Sequence, residues 1–231
     1  MKKVFFAIML CLLVIPPSVL FAGDDSRGKN PLITYKPPML GAPSVRVAAG
    51  TRSVEGDSAV LLALVPDHVG FTTKTQPSLC WYVSKPVKSK IEISLSAAKA
   101  IKPLLEKEMA EPSAGGIFCV NLKEYGISLV KETEYKWFIS AIGDPEHRAK
   151  DIVGGGTIIV KDSSGELFKK LTTAKGTQTA SLYAQEGFWY DALWSISELI
   201  KKTPADAGLR EVRASLLEQA GLKEAADFDR K

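Results

Sequence analysis

Two histidines, three cysteines and a few glycine-rich or aromatic clusters are where this 231-residue chain could do chemistry. His147 stands in Asp144-Pro145-Glu146-His147-Arg148, where imidazole and carboxylate together could hold a metal or act as a base. Metal ligands generally converge in threes or fours. With no histidine cluster elsewhere, a polar turn after a strand accounts for these residues more simply. His68, in Pro66-Asp67-His68-Val69-Gly70, reads as a loop residue. Neither Gly-x-Ser-x-Gly nor His-Glu-x-x-His occurs. Gly154-Gly155-Gly156 lacks the lysine of a phosphate loop and runs into Ile158-Ile159-Val160, so a strand bulge or bend is predicted rather than a nucleotide site. Arg52, in Gly50-Thr51-Arg52, could present its guanidinium to an anion or partner, or simply cap an exposed turn. These residues make no catalytic set, metal site or cofactor site, and the expectation is a protein that is not an enzyme.

Cys80 and Cys119 lie in the strand-like runs Ser78–Val83 and Gly116–Leu122. A bridge between them would be worth about 4 kcal/mol on the chain-entropy account of a loop this long. Two independently buried thiols are equally compatible with the spacing, because strand periodicity does not show whether the Cβ atoms face each other. Phe188-Trp189-Tyr190 sets three aromatics at a helical turn. Trp189 falls on an apolar helical face, whereas Phe188 and Tyr190 point away from it. Those two are candidates either for packing between modules, the preferred reading, or for anchoring a partner.

The compartment follows from the N-terminus. Met1-Lys2-Lys3 is a short positive start, Val4 to Ile15 is unbroken apolar sequence, and Ser18 to Gly23 offers small residues for cleavage before Asp24-Asp25. That is the order of a secretory signal peptide over 1–22, with a run too short for the ~20 residues that span a bilayer. Cys11 lies inside the run, behind Met9-Leu10, which argues against a lipid-modified cysteine. Export to the periplasm or beyond is expected, with no stable membrane insertion after cleavage. The formal charge of +4, with 45% hydrophobic residues, indicates a folded chain and gives no footing for nucleic acid.

Elements that would position these residues come in two kinds. Residues 23–41, with Pro31, Pro37 and Pro38, lack hydrophobic periodicity and read as a leader or linker. From 42 to 163 the chain reads as about seven short strands, including the Val45/Val47 alternation, Ala59–Val65, Leu79/Trp81/Val83, Ile91/Ile93/Leu95, Ile117–Leu122, Tyr135–Ala141 and Ile152–Val160. Tyr135, at the start of a strand after Leu129–Glu134, looks like the tyrosine corner of immunoglobulin and fibronectin sandwiches. Residues 97–109 are either a short helix or a long excursion, with Pro103 interrupting. From 174 to 231 the apolar period becomes helical: Gln178–Glu186, then Trp189, Ala192, Leu193, Ile196, Leu199 and Ile200, then Leu209 to Ala220. Thr203-Pro204 is placed at the start of the last helix, and Gly187 and Gly221 at helix ends. The predicted fold is α+β, an immunoglobulin/fibronectin-like β-sandwich followed by a short C-terminal helical module.

Tyr183-Ala184-Gln185-Glu186-Gly187-Phe188-Trp189-Tyr190-Asp191-Ala192-Leu193, with Pro204 beyond, resembles about one and a half tetratricopeptide units. A lone unit must bury its face on the sandwich or on a partner. The mature chain as a whole resembles a bacterial exported family known as domain of unknown function 928. The residues that carry this are Gly41-Ala42-Pro43, Gly50-Thr51-Arg52, Leu62-Ala63-Leu64-Val65-Pro66, Gly70-Phe71-Thr72-Thr73 with Pro77, Trp81-Tyr82-Val83, Tyr135-Lys136-Trp137 and Leu182 to Leu193. Ala48-Ala49 and Gly154-Gly155-Gly156 depart from its pattern. The resemblance implies export and supplies no catalytic residues. The expectation is therefore a non-enzymatic exported protein that binds an unidentified protein or cell-envelope component through sandwich and helical module. The alternative is a carbohydrate- or polymer-binding sandwich with weak hydrolase activity, which needs Trp81 or Trp137 exposed and an acid pair in a groove.

Overall fold

A computed structural model describes residues 32–38 and 59–231, apart from residue 145. The expected signal segment with Cys11, most of the expected leader, the Val45/Val47 alternation, and Arg52 with its neighbours lie outside the described residues.

Eight strands precede five helices in the described chain: β1 Leu61–Ala63, β2 Gly70–Thr72, β3 Ser78–Val83, β4 Lys90–Ala97, β5 Leu105–Met109, β6 Gly116–Asn121, β7 Glu134–Ile142 and β8 Ile152–Val160. They form two sheets, ordered β1-β3-β6 and β2-β8-β7-β4-β5. All pairs are antiparallel except β2 with β8. Alternation is the cause of the pleat: Ile91, Ile93 and Leu95 are buried while Glu92, Ser94 and Ser96 are half-buried. The undecided region 97–109 turns at 98–104 and returns as β5, pairing Leu105 with Leu95.

The three glycines in β8 are neither bulge nor bend. Their register against β7 runs unbroken, with Trp137, Phe138 and Ile139 opposite Gly156, Gly155 and Gly154. They are small because the other sheet lies against them. A Cβ on Gly154 would stand 2.8 Å from the Ala63 backbone nitrogen, and one on Gly156 would stand 2.7 Å from the Val65 side chain. A Cβ on Gly155 would instead strike the Phe138 ring on the opposite face at 2.3 Å. The bulge expectation fails because glycine in a strand also marks close backbone approach.

Every residue of β3 is buried. Tyr82 packs against Phe228 from the last helix, while the close approach to the five-stranded sheet is made by β1 and the residues after it. Tyr135 is buried and its hydroxyl accepts the Val130 backbone N–H at 3.0 Å, the bond of a tyrosine corner.

The helices are α1 Gly165–Thr173, α2 Thr177–Gln185, α3 Trp189–Lys202, α4 Ala207–Gln219 and α5 Lys223–Asp229. Gly187 adopts φ 81°, which lets the chain reverse between α2 and α3. Thr203 does not start α4. Its hydroxyl donates to the Leu199 carbonyl and finishes α3, while the Asp206 carboxylate accepts the Leu209 N–H and caps α4. Both residues are helix-cap types, and the end that closes the helical bonds of α3 wins. Buried Arg213 and Asp229 pair bidentately at 2.7 and 2.6 Å, with Ser197 as a further acceptor, joining α5 to α4 and α3. Ile33 and Tyr35 of the expected linker are buried as well. The Gln219 amide accepts the Tyr35 N–H at 2.9 Å and donates to the Ile33 carbonyl at 2.7 Å, so this stretch is a strap across the helices. Sheet and helix side chains make one continuous core.

Candidate functional site

The first turn of α3 joins helices to sandwich through three consecutive residues. Helical geometry turns successive side chains by roughly 100°, so each reaches a different element. Trp189 is fully buried, and its indole N–H donates to the Leu64 carbonyl just after β1 at 2.9 Å. Tyr190 is buried too; its hydroxyl accepts the Trp137 indole N–H at 2.9 Å and donates to the Thr157 carbonyl at 3.1 Å. Its ring fills the space where a Cβ on Gly70 would sit, 2.5 Å away. Asp191 reaches the turn after β2, accepting the Thr73 N–H at 2.7 Å and the Thr73 hydroxyl at 3.1 Å.

Asp191 is the notable group because it is a buried carboxylate without a paired cation at bonding distance among the described residues. Burial raises its carboxyl above the ordinary range, while the bonds from Thr73 and Thr72 and the nearby charge of Lys74 pull it back. Its place near the start of α3 adds the favourable end of the helix dipole. It lines a cleft of about 150 Å³ with Thr72, Lys74, Gln76, Pro77, Ser78, Asn121, Tyr190 and Trp194. The walls come from both halves of the molecule: the β2–β3 turn, β3 and β6 on one side, α3 on the other. Asn121 is held in place, its amide donating to the Ser78 hydroxyl and accepting the Lys123 N–H, both at 2.8 Å. The Lys74 ammonium sits 6.0 Å from the centre of the Tyr183 ring. The Gln76 amide and the Trp194 indole N–H have no hydrogen-bond partner among the described residues. The cleft therefore offers fixed acceptors, a cation, uncommitted amide and indole donors, and an aromatic wall.

The residues singled out from sequence fall elsewhere, apart from Tyr190. Phe188 is buried and meets Tyr183 edge-on, at 6.4 Å between ring centres. Phe188 and Tyr190 thus pack within the chain, the preferred sequence reading, and Tyr190 also forms part of the cleft wall. All residues of the first turn of α3 are buried, so side chains off the main apolar stripe are covered as well. Cys80 and Cys119 stand directly opposite each other on β3 and β6 and are joined as a disulfide. His147 pairs with Asp144 at 2.6 Å on the surface, and Asp144 also accepts the Glu146 N–H, the geometry of a polar turn. No group of three metal-ligating side chains occurs among the described residues. His68 stacks on Tyr35. The Val69 carbonyl can only accept, so the His68 Nδ1 carries the proton and Nε2 accepts from the Tyr35 hydroxyl, at 2.9 and 3.1 Å. Burial raises the Tyr35 and Tyr190 phenols well above their usual range. Trp81 and Trp137, the aromatics needed by the carbohydrate alternative, are both buried, and Asp191 is the one acid lining the cleft.

Asp191, Gln76 and Trp194 were not read as site residues. The available signal was an acid set among aromatics in the first turn of an otherwise apolar helix.

A family model described as Domain of Unknown Function (DUF928) matches residues 47–229, most of the chain. No curated protein matches it.

Proposed function

We propose that this chain, which belongs to the family described as Domain of Unknown Function (DUF928), is an exported, non-enzymatic protein that binds a protein or cell-envelope component. The contact is made at the cleft between sandwich and helices. One observation carries this reading: both modules build the cleft, and its Gln76 and Trp194 donors are uncommitted while its buried wall is fixed by hydrogen bonds. Trp is enriched where partners bury binding energy, and a pre-formed wall lowers the ordering cost of association. Export is supported by the N-terminal signal pattern and by the Cys80–Cys119 bridge, a bond that persists in oxidising compartments.

The test is affinity capture of the tagged protein from chemically crosslinked envelopes, comparing the native chain with Gln76→Ala and Trp194→Ala. Gln76 is half-buried and makes no side-chain hydrogen bond among the described residues, so its variant should retain native unfolding behaviour, whereas Trp194 packs against the core and its variant is compared at a temperature where circular dichroism shows it folded. The reading expects a discrete adduct lost in both variants. An adduct equally strong in both, or none with the native chain, rejects it.

A further inference from the structure

Three of the five large hydrophobic side chains that stand exposed among the described residues, Ile101, Leu104 and Val130, lie in the turns at one end of the five-stranded sheet, and a fourth, Phe168, is on α1 beyond it. The hairpin between β4 and β5 is closed by the Leu104 N–H to the Leu95 carbonyl at 2.8 Å, and its turn, residues 98–104, is exposed throughout. Ile101 at the tip is 100% exposed. Beside it the Ala98 N–H donates to the Glu134 carbonyl, and the Glu132 N–H donates to the Val160 carbonyl, both at 3.0 Å. These bonds bring the Val130 turn to the same end, and α1, with Phe168, follows β8 from there.

Glu132 pairs with Lys161, Asp162 with Lys131, and Glu166 with Lys170. Lys99 and Lys102, which flank Ile101, and Lys136 and Lys169 have no carboxylate partner among the described residues. Glu106 and Glu134 at this end have no lysine partner among the described residues either, but they stand against four such lysines, so the end keeps an excess of positive charge among its apolar tips.

We propose that this end of the sheet docks on the surface of an anionic phospholipid bilayer, with Ile101 and Leu104 entering the headgroup boundary and Lys99 and Lys102 beside the lipid phosphates. Lysine is depleted from protein–protein interfaces. At a bilayer its stem lies along apolar surface while the ammonium stays in water. A convex tip with a bare isoleucine between two free cations matches the second setting. The proposal is independent of the cleft: tip and cleft share no residue, and the variants that test them are different.

The test is vesicle flotation of the protein as the cell processes it. One set of vesicles is of phosphatidylcholine alone, the other of equal parts phosphatidylcholine and phosphatidylglycerol. Binding to the anionic set at low salt, weakened by added salt and absent from the neutral set, is expected. Ile101→Ser should weaken it about tenfold, from the transfer of one large aliphatic side chain. Lys99→Gln and Lys102→Gln should each weaken it about fivefold. All three sites are fully on the surface, so unfolding curves should match the native protein. Equal flotation with both sets, no flotation with the anionic set, or an unaltered Ile101→Ser variant overturns the proposal.

Discussion

Replacing Tyr190 by Phe removes one oxygen from the seam between helices and sheets. The ring stays against Gly70, so the change isolates the hydroxyl, which joins the Trp137 indole to the Thr157 carbonyl at 2.9 and 3.1 Å. Trp137 is completely buried, so no water replaces the lost acceptor. A buried donor left without a partner costs about 1–3 kcal/mol, and a lost bond to a carbonyl that keeps its other contacts about 0.5–1 kcal/mol. The sum is a destabilisation of about 1.5–4 kcal/mol. Equilibrium unfolding in guanidinium should show it as a lower midpoint at constant m-value. A loss below about 0.5 kcal/mol would refute the claim that this bond pair holds α3 to the sandwich.

Three further outcomes are expected. Reducing the bridge, or replacing Cys80 and Cys119 by Ser, should lower stability by about 4 kcal/mol by the loop-entropy argument, read as a midpoint shift with and without reductant. Asp229→Asn leaves Arg213 buried with half its partner and should cost about 3–5 kcal/mol, far more than Lys223→Ala at the exposed pair with Asp227, worth under ~1 kcal/mol. Asp191 binds its proton more tightly folded than unfolded, so its contribution to stability is greatest below the unfolded value near 3.8 and falls as pH rises through the folded one. Unfolding free energy of the native chain minus that of Asp191→Asn should therefore decline as pH is raised from about 4; a flat or rising difference would contradict the assigned burial.

The long strands and helices were legible because their buried faces repeat. Ile91-Ile93-Leu95 and the Trp189 to Ile200 stripe each carry their own period. β5 was not: Leu105-Glu106-Lys107-Glu108-Met109 is an edge strand whose middle three residues face water, and Pro103 suggested a broken helix. β2 is three residues long and buried throughout by neighbours distant in sequence, too short for periodicity to register. The strap at Ile33 and Tyr35 alternates over too few residues and depends on Gln219, far along the chain. The seam was hidden for the same reason. Asp191 meets Thr73 across 118 positions, and nothing local distinguishes a carboxylate aimed at a distant turn from one aimed at solvent. The cysteines sat between these cases: their strands were readable, but their cross-strand register, which places one opposite the other, was not.

The central claim is that the protein binds at the seam cleft, and a photo-reactive residue installed at Thr75, an exposed position beside Gln76 at the cleft edge, tests it most directly in living cells. A second chain carries the same group at Lys88, an exposed site in the β3–β4 loop away from the cleft. The account predicts a discrete irradiation-dependent adduct from position 75 and none from position 88, with the adduct abolished by Gln76→Ala in the same chain. Matching adducts from both positions, or no adduct from position 75 in a folded protein, would contradict it.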